Sequence, residues 1–219
     1  MRHQTVARTT FYDAAVDKYI GSVSQLVILG AGYDTRSYRL PTDSTVRCFE
    51  VDLPRIQSVK VEALSAAGVD TSRVTFVPAD FLHEDWFEKI QAAGFEPGKP
   101  SLFLWEAVTM YLNREAVEKT LRKIAATAAG SAVAFDYFSK EVIESESPKM
   151  RALRASVSVG GEPFTFGIDN TPPSRDRIAE LVRACGLSLE EQRNFGEESE
   201  KNHAMAGFAI ATVGPTKIS

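Results

Sequence analysis

The chain alternates between two hydrophobic rhythms. Short, largely apolar runs at Leu26–Leu29, Val46–Val51, Val74–Val77, Leu102–Trp105 and Ser131–Tyr137 are bounded by turn residues. All five read as strands; the continuous apolar run at 26–29 predicts one buried on both faces, and 102–105 another buried strand. The stretches between them carry helical spacing. A helix over 54–67 presents Ile56, Val59 and Leu64 and ends at Gly68. Asn113 is placed as the N-cap of a long helix to Ala129, and shorter helices are expected to about Leu40 and over 87–93. Residues 1–20 carry Val6, Phe11, Ala14, Ala15 and Tyr19 at near-helical spacing. The rhythm breaks at 139–173, which predicts a cap inserted over a rigid sheet, where loops tend to carry specificity. Ser174 is expected to cap a helix with Ile178, Leu181 and Val182 on one face, and 187–195 with 204–213 to close the sheet as an antiparallel pair.

The first strand runs into Gly30-Ala31-Gly32, then Asp34 and Thr35, then Arg36 and Arg39. Glycines here let the backbone turn sharply and lie against a nucleotide-like ligand. The pyrophosphate version of this turn needs a third glycine, and that position is Thr35. Asp34 would also repel a pyrophosphate. A nucleoside with a cationic end suits the turn better, and S-adenosylmethionine has both parts. About 20 residues on, Asp52 ends the second strand, where an acid can accept from ribose hydroxyls. The alternative for Asp52 is a helix N-cap ahead of Leu53-Pro54.

LGAGYDTRSYRL followed by FEVDLP resembles the leucine carboxyl methyltransferase family and its bacterial and fungal relatives. ARTTFYD (7–13), PADF (78–81) and WEAVTMYL (105–112) agree in order and spacing, so the resemblance covers most of 8–137. It implies a class I methyltransferase fold: a doubly wound, mostly parallel, seven-stranded Rossmann-like α/β sheet in a single domain over 1–219. It implies S-adenosyl-L-methionine as cofactor, Arg8 at the methionine carboxylate, and Asp80 with Phe81 beside the adenine. The alternative for Arg8 is a solvated helix arginine, and for Asp80 a helix cap before Glu84-Asp85-Trp86. Relatives usually have several dozen further residues before ARTTFYD, so the site is expected to be more open or covered by another element.

Glu106 follows a central strand directly. Its position at the carboxyl edge and the resemblance favour a cofactor or active-centre role over a charge in water. Tyr111 either faces the substrate or packs in the core. In the cap, Val157, Val159, Phe164 and Phe166 near Gly160-Gly161 suggest an apolar wall over the substrate. No catalytic base is evident, although His203 or Tyr137 could serve. This mildly favours a carboxylate or acidic hydroxyl as acceptor.

Composition narrows the partners. The chain has 219 residues, 25% charged, with a net charge of -4. Without a Lys/Arg run, a nucleic-acid substrate is not expected, since phosphate neutralisation supplies most of such affinity. No apolar run nears the roughly 20 residues that span a bilayer, and the N-terminus lacks a signal-peptide core. Cys48 and Cys185 have no pairing or metal-binding spacing, which suggests a reducing, cytoplasmic setting. The three histidines are scattered, so no metal is expected. The expected function is O-methylation of a small molecule, with a protein C-terminal carboxyl as the alternative. A nicotinamide oxidoreductase is disfavoured by Thr35 and Asp34. A non-catalytic nucleoside-binding module is disfavoured by intact Gly30, Gly32, Asp52 and Glu106.

Overall fold

The computed structural model describes residues 2–158, 163–195, 198 and 204–215. Seven strands form one sheet: β1 (Gln25–Leu29), β2 (Arg47–Asp52), β3 (Val74–Pro78), β4 (Ser101–Trp105), β5 (Ala132–Phe138), β6 (Ser188–Phe195) and β7 (Ala206–Thr212). Their order is β3-β2-β1-β4-β5-β7-β6. β1 to β5 are parallel, and β7 runs antiparallel to both neighbours. The chain moves outward from β1 in one direction and then, through β4, in the other. That reversal opens a crevice at the carboxyl ends of β1 and β4, where open α/β sheets bind ligands.

Every residue of β1 and β4 is buried, as expected for central strands covered on both faces. On one face, Val27, Leu29, Phe49, Phe103, Trp105, Val133 and Phe135 pack against α3 (Trp86–Ala92), α4 (Arg114–Ala125) and α7 (Ser174–Ala184). On the other, Leu26, Ile28, Leu104 and Ala134 meet Phe11, Tyr12 and Ala15 of α1 (Arg2–Tyr19). The helix α2 (Pro54–Ala66) links β2 to β3. Asn113 caps α4 as expected, its side chain accepting from the Ala116 N–H at 2.8 Å.

Several expected elements differ. The short helix to Leu40 is a single 3-10 turn, Arg36–Tyr38, because the Arg36 and Asp34 side chains hold it in an ion-pair cluster. α4 ends at Ala125, where the Thr127 hydroxyl turns back to the Ile124 carbonyl at 2.7 Å. Ser174 is the first residue of α7, not its cap; Pro173 precedes it, and the Ser174 hydroxyl turns to Asn194 and Glu198 instead. Among its described residues the cap holds two helices, α5 (Lys140–Glu144) and α6 (Pro148–Ser158), and later an extended strap from Pro163. That strap is tied down: the Thr165 N–H donates to the Met110 carbonyl and its hydroxyl to the Leu112 carbonyl, both at 2.8 Å. Gly167 passes so near the backbone of Ser139 and Lys140 that a Cβ would lie 2.6 Å from the Lys140 Cα.

Among the described residues, no helix is long and apolar enough to cross a membrane, and no three His, Cys, Asp or Glu side chains are grouped to hold a metal ion. Cys48 and Cys185 are both free and buried.

Candidate cofactor site

The glycine turn after β1 is fixed from two sides. Gly30 and Ala31 donate backbone N–H groups to the Val51 carbonyl at 2.8 and 3.1 Å. Gly30 has a φ of 69°, and a Cβ there would meet the Val108 Cγ2 at 2.3 Å. Only glycine meets both conditions. Asp52 closes the turn: its Oδ2 accepts from the Gly32 N–H and its Oδ1 from the Leu53 N–H, each at 2.6 Å. The N-cap position of α2 is Leu53, so Asp52 is not that helix's cap. Behind the turn, buried Glu50 pairs with Lys60 of α2 at 2.6 Å, and the Lys60 ammonium also reaches the Ala31 carbonyl at 3.4 Å. Cys48, Glu50 and Asp52 alternate along one face of β2, so a single strand supplies both supports.

A second cluster gathers across the turn. Arg36 is only 7% exposed and reaches Asp13 at 2.7 Å, Asp34 at 2.6 Å and Glu106 at 2.6 Å. Burial works against its charge, but these three carboxylates outweigh it and push its pKa up. Glu106 also accepts from the Arg8 Nε at 2.8 Å, so both of its oxygens face guanidinium groups. In the sequence, Arg36 is legible only as part of the loop. An arginine two residues after the acid of the turn gives no hint that it will be buried among residues from α1 and from the end of β4.

At the other end, Asp80 accepts from the Leu82 N–H at 2.9 Å and lies 2.9 Å from the His83 ring. Burial opposes its charge, yet these partners hold its carboxyl below the usual carboxylate range. It does not cap the next helix. Asp85 does, accepting from the Phe87 and Glu88 N–H groups at 3.0 and 3.1 Å. Phe81 leans on Trp86, with ring centres 6.1 Å apart.

These groups line one cavity of about 870 Å³ at the carboxyl edge of β1, β2 and β4. Gly30, Gly32, Asp52, Asp80, Phe81, Glu106 and Tyr111 all face it. Arg8 stands beside it through its bond to Glu106. The two phenylalanines expected in the substrate wall do not line it. The extended strap alternates, so Pro163 and Thr165 face the cavity. Phe164 turns to the rings of Tyr111 and Phe138, at 5.5 and 5.3 Å. Phe166 packs on the core and lines a separate cavity of about 330 Å³ beside α4 and α7. Tyr137, considered as a base, is buried on the opposite face from α1, accepts from the Gln192 amide at 3.1 Å, and has its pKa pushed up to about 12 by burial. His203, the Val157 side chain, Val159, Gly160 and Gly161 lie outside the described residues.

A glycine turn closed by the acid that ends the neighbouring strand, in this strand order, is a nucleoside site in its geometry. Residues 1–125 match the family model described as leucine carboxyl methyltransferase. The chain belongs to the leucine carboxyl methyltransferase family. A protein of Mycobacterium avium (strain 104), provisionally named an S-adenosyl-L-methionine-dependent methyltransferase, is 34% identical over 186 residues, covering 84% of this chain and 60% of the relative. The chain thus spans about three fifths of the length of that relative. Among solved structures, an O-methyltransferase family protein from Burkholderia thailandensis shares the fold with a TM-score of 0.57 at 18% identity, over 99% of this chain and 62% of the other. The magnesium protoporphyrin IX methyltransferase of Synechocystis PCC 6803, solved with bound S-adenosylhomocysteine, does so at 0.56 and 12% identity, over 96% and 82%. Both likenesses concern the sheet and its helices.

Proposed function

We propose that this chain transfers the methyl group of S-adenosylmethionine to an oxygen of a small molecule, a carboxylate or an acidic hydroxyl. The observation that carries the cofactor half is the Arg8–Glu106 pair beside the Gly30–Gly32 turn. A guanidinium and a carboxylate side by side are the complement of an amino-acid zwitterion. The ligand's carboxylate can replace Glu106 on Arg8, and its ammonium can replace Arg8 on Glu106, while Arg36 keeps Glu106 in place. Gly32 and Asp52 are then left to meet the ribose, with Asp80 and Phe81 at the adenine end. NAD carries no such zwitterion.

When bound, the cofactor supplies an electrophilic methyl on a sulfonium sulfur. The chain's own contribution is to hold both reactants in line and to exclude water. The carboxylates of Asp34, Asp52, Asp80 and Glu106 line the cavity together with the guanidinium groups of Arg36, Arg39 and Arg55. Each carboxylate already accepts from a backbone N–H or a cationic side chain. That engagement supports an acceptor oxygen that arrives ionised and needs no base. Pro163, Thr165, Tyr111 and Leu112 form the wall nearest the cap, and the acceptor is placed against them. A cavity of about 870 Å³ is of the size that takes a cofactor with a small partner. The net charge of -4 argues for a small acceptor over nucleic acid.

The test is transfer of labelled methyl from S-adenosylmethionine into cell extract separated by size. Label in the low-molecular-mass fraction supports the proposal. Label confined to macromolecules contradicts it, and base-labile label there identifies a protein carboxyl ester.

A further inference from the structure

The backbone ladder between β4 and β5 ends at the Trp105–Phe135 pair, where β4 leaves the sheet. The ladder is continued by a side chain. The N–H of Ala107 donates to the Oδ1 of Asp136, on β5, at 2.6 Å. The Tyr12 hydroxyl from α1 lies 3.0 Å from the same oxygen and 2.9 Å from the Trp105 carbonyl, so its one proton serves both. The Thr109 hydroxyl donates to the Asp136 backbone carbonyl at 2.7 Å. One buried residue therefore gathers the whole turn after β4.

That turn is strained. Ala107 has a φ of 58°, and it is the one non-glycine residue at positive φ among the described residues. A Cβ disfavours this conformation, which persists only where its surroundings over-determine it. The neighbours on either side of Ala107 both reach the cofactor site. Glu106 meets Arg8 and Arg36, and Val108 packs against Gly30 so closely that a Cβ on Gly30 would lie 2.3 Å from its Cγ2.

We infer that Asp136 is a positioning residue for the cofactor site, its ionised carboxylate holding the Glu106–Val108 turn against the Gly30 loop. The inference rests on the cofactor reading above. Asp136 does not itself line the cavity; it acts through Ala107.

Burial pushes the Asp136 carboxyl up to about 6, although the Ala107 N–H, Arg8 and Tyr12 all favour its charge; Glu106 opposes it. Arg8 and Tyr12 come from α1 and Glu106 from the turn itself. The residue opposite on β7 is apolar Phe208. A carboxylate holds an amide N–H more strongly than a neutral oxygen does. The grip on the turn therefore weakens as pH falls through this range.

Two measurements test this. The first is S-adenosylhomocysteine affinity by calorimetry between pH 5 and 8, for the wild type, Asp136→Asn, and Asp136→Asn with Ala107→Gly. Asparagine keeps an acceptor oxygen but no charge. It should bind about five-fold more weakly than the wild type at pH 8 and no worse at pH 5, the difference between charged and neutral acceptors. Glycine reaches positive φ without strain, so adding Ala107→Gly should recover most of the loss. The second is the hydrogen-exchange protection of the Ala107 amide in the ligand-free chain, which should fall in Asp136→Asn. Wild-type affinity for the asparagine variant at every pH, with unchanged Ala107 protection, overturns the inference. So does a loss that Ala107→Gly leaves untouched, which would locate the effect elsewhere. If the wild type binds no S-adenosylhomocysteine, the cofactor reading fails, and Ala107 protection alone still decides whether Asp136 holds the turn.

Discussion

Arg8 and Glu106, 98 residues apart in sequence, meet through a 2.8 Å bond from Nε to Oε1 at the edge of the candidate cofactor cavity. The first helix is thereby joined to the carboxyl end of a central strand. In the proposed complex each partner exchanges the other for one end of the ligand's amino acid.

That exchange can be measured with methylthioadenosine, which has the nucleoside but no amino acid. The wild type should prefer S-adenosylhomocysteine to it. Arg8→Ala should cut that preference by about ten- to a hundred-fold, the worth of hydrogen bonds between charged groups. Affinity for methylthioadenosine should barely change. Equal losses for both ligands would mean that Arg8 supports the fold and not the zwitterion.

Asp52 is engaged by two backbone N–H groups before any ligand arrives. Removing it frees the glycine turn as well as a ribose partner. Asp52→Ala should weaken S-adenosylhomocysteine binding by at least about ten-fold. Asp52→Asn, which keeps one acceptor, should fall between. Thermal melting of the free variants checks that they remain folded, and unchanged affinity in Asp52→Ala would remove Asp52 from the site.

Much of the fold and of the cavity's lining is legible in the residues. The runs at 26–29 and 102–105 are continuous because their strands are buried on both faces, and the same burial dictates where the sheet's carboxyl edge lies. Gly30, Gly32, Asp52 and Glu106 follow from that edge. Asp136 was not singled out, although its signal was present: a lone acid inside AVAFDYF, an otherwise apolar run. Arg36 gave no comparable signal, since its burial depends on Asp13 and Glu106 arriving from distant elements. Phe164 and Phe166 looked like a wall by composition, but in an extended strap parity decides which side chains face a cavity, and parity is set by the bonds of Thr165 to Met110 and Leu112.

Parity makes a prediction of its own. Thr165→Phe should fill the acceptor end of the cavity and raise the acceptor KM several-fold, with little effect on cofactor affinity. Phe166→Ala should lower the melting temperature by about 5 °C, as expected for losing a partly buried aromatic in a chain of this size, and leave that KM nearly unchanged. The reverse pattern in steady-state kinetics and melting would show that the strap is turned over.

Gly30→Ala meets both a positive φ and the Val108 side chain. It should abolish measurable cofactor binding. Pairing it with Val108→Ala removes the clash but not the strain, so binding should return only in part. Full recovery by calorimetry would mean that the backbone conformation of Gly30 matters little.

Asp136 also sets a stability profile. Its folded pKa, about 6, is raised above an ordinary aspartate. Such a group's contribution is therefore fully present below about pH 4 and is lost as pH rises through 6. Asp136→Asn should melt higher than the wild type at pH 8, by roughly 5 °C for a gain of about 2–3 kcal/mol. The gap should close as pH falls toward 4. A variant that is more stable yet binds the cofactor less well is the pattern expected of strain kept for function. Melting curves at pH 4, 6 and 8 check it, and a variant less stable at pH 8 would contradict it.

The central claim is the identity of the ligand in the cavity beside Gly30, Asp52 and Glu106. Calorimetry of the purified chain at pH 8 with S-adenosylmethionine, S-adenosylhomocysteine and NAD tests it most directly. Saturable one-site binding of both sulfur nucleosides, with no heat from NAD, is the predicted result. Binding of NAD with no heat from either sulfur nucleoside would contradict the account.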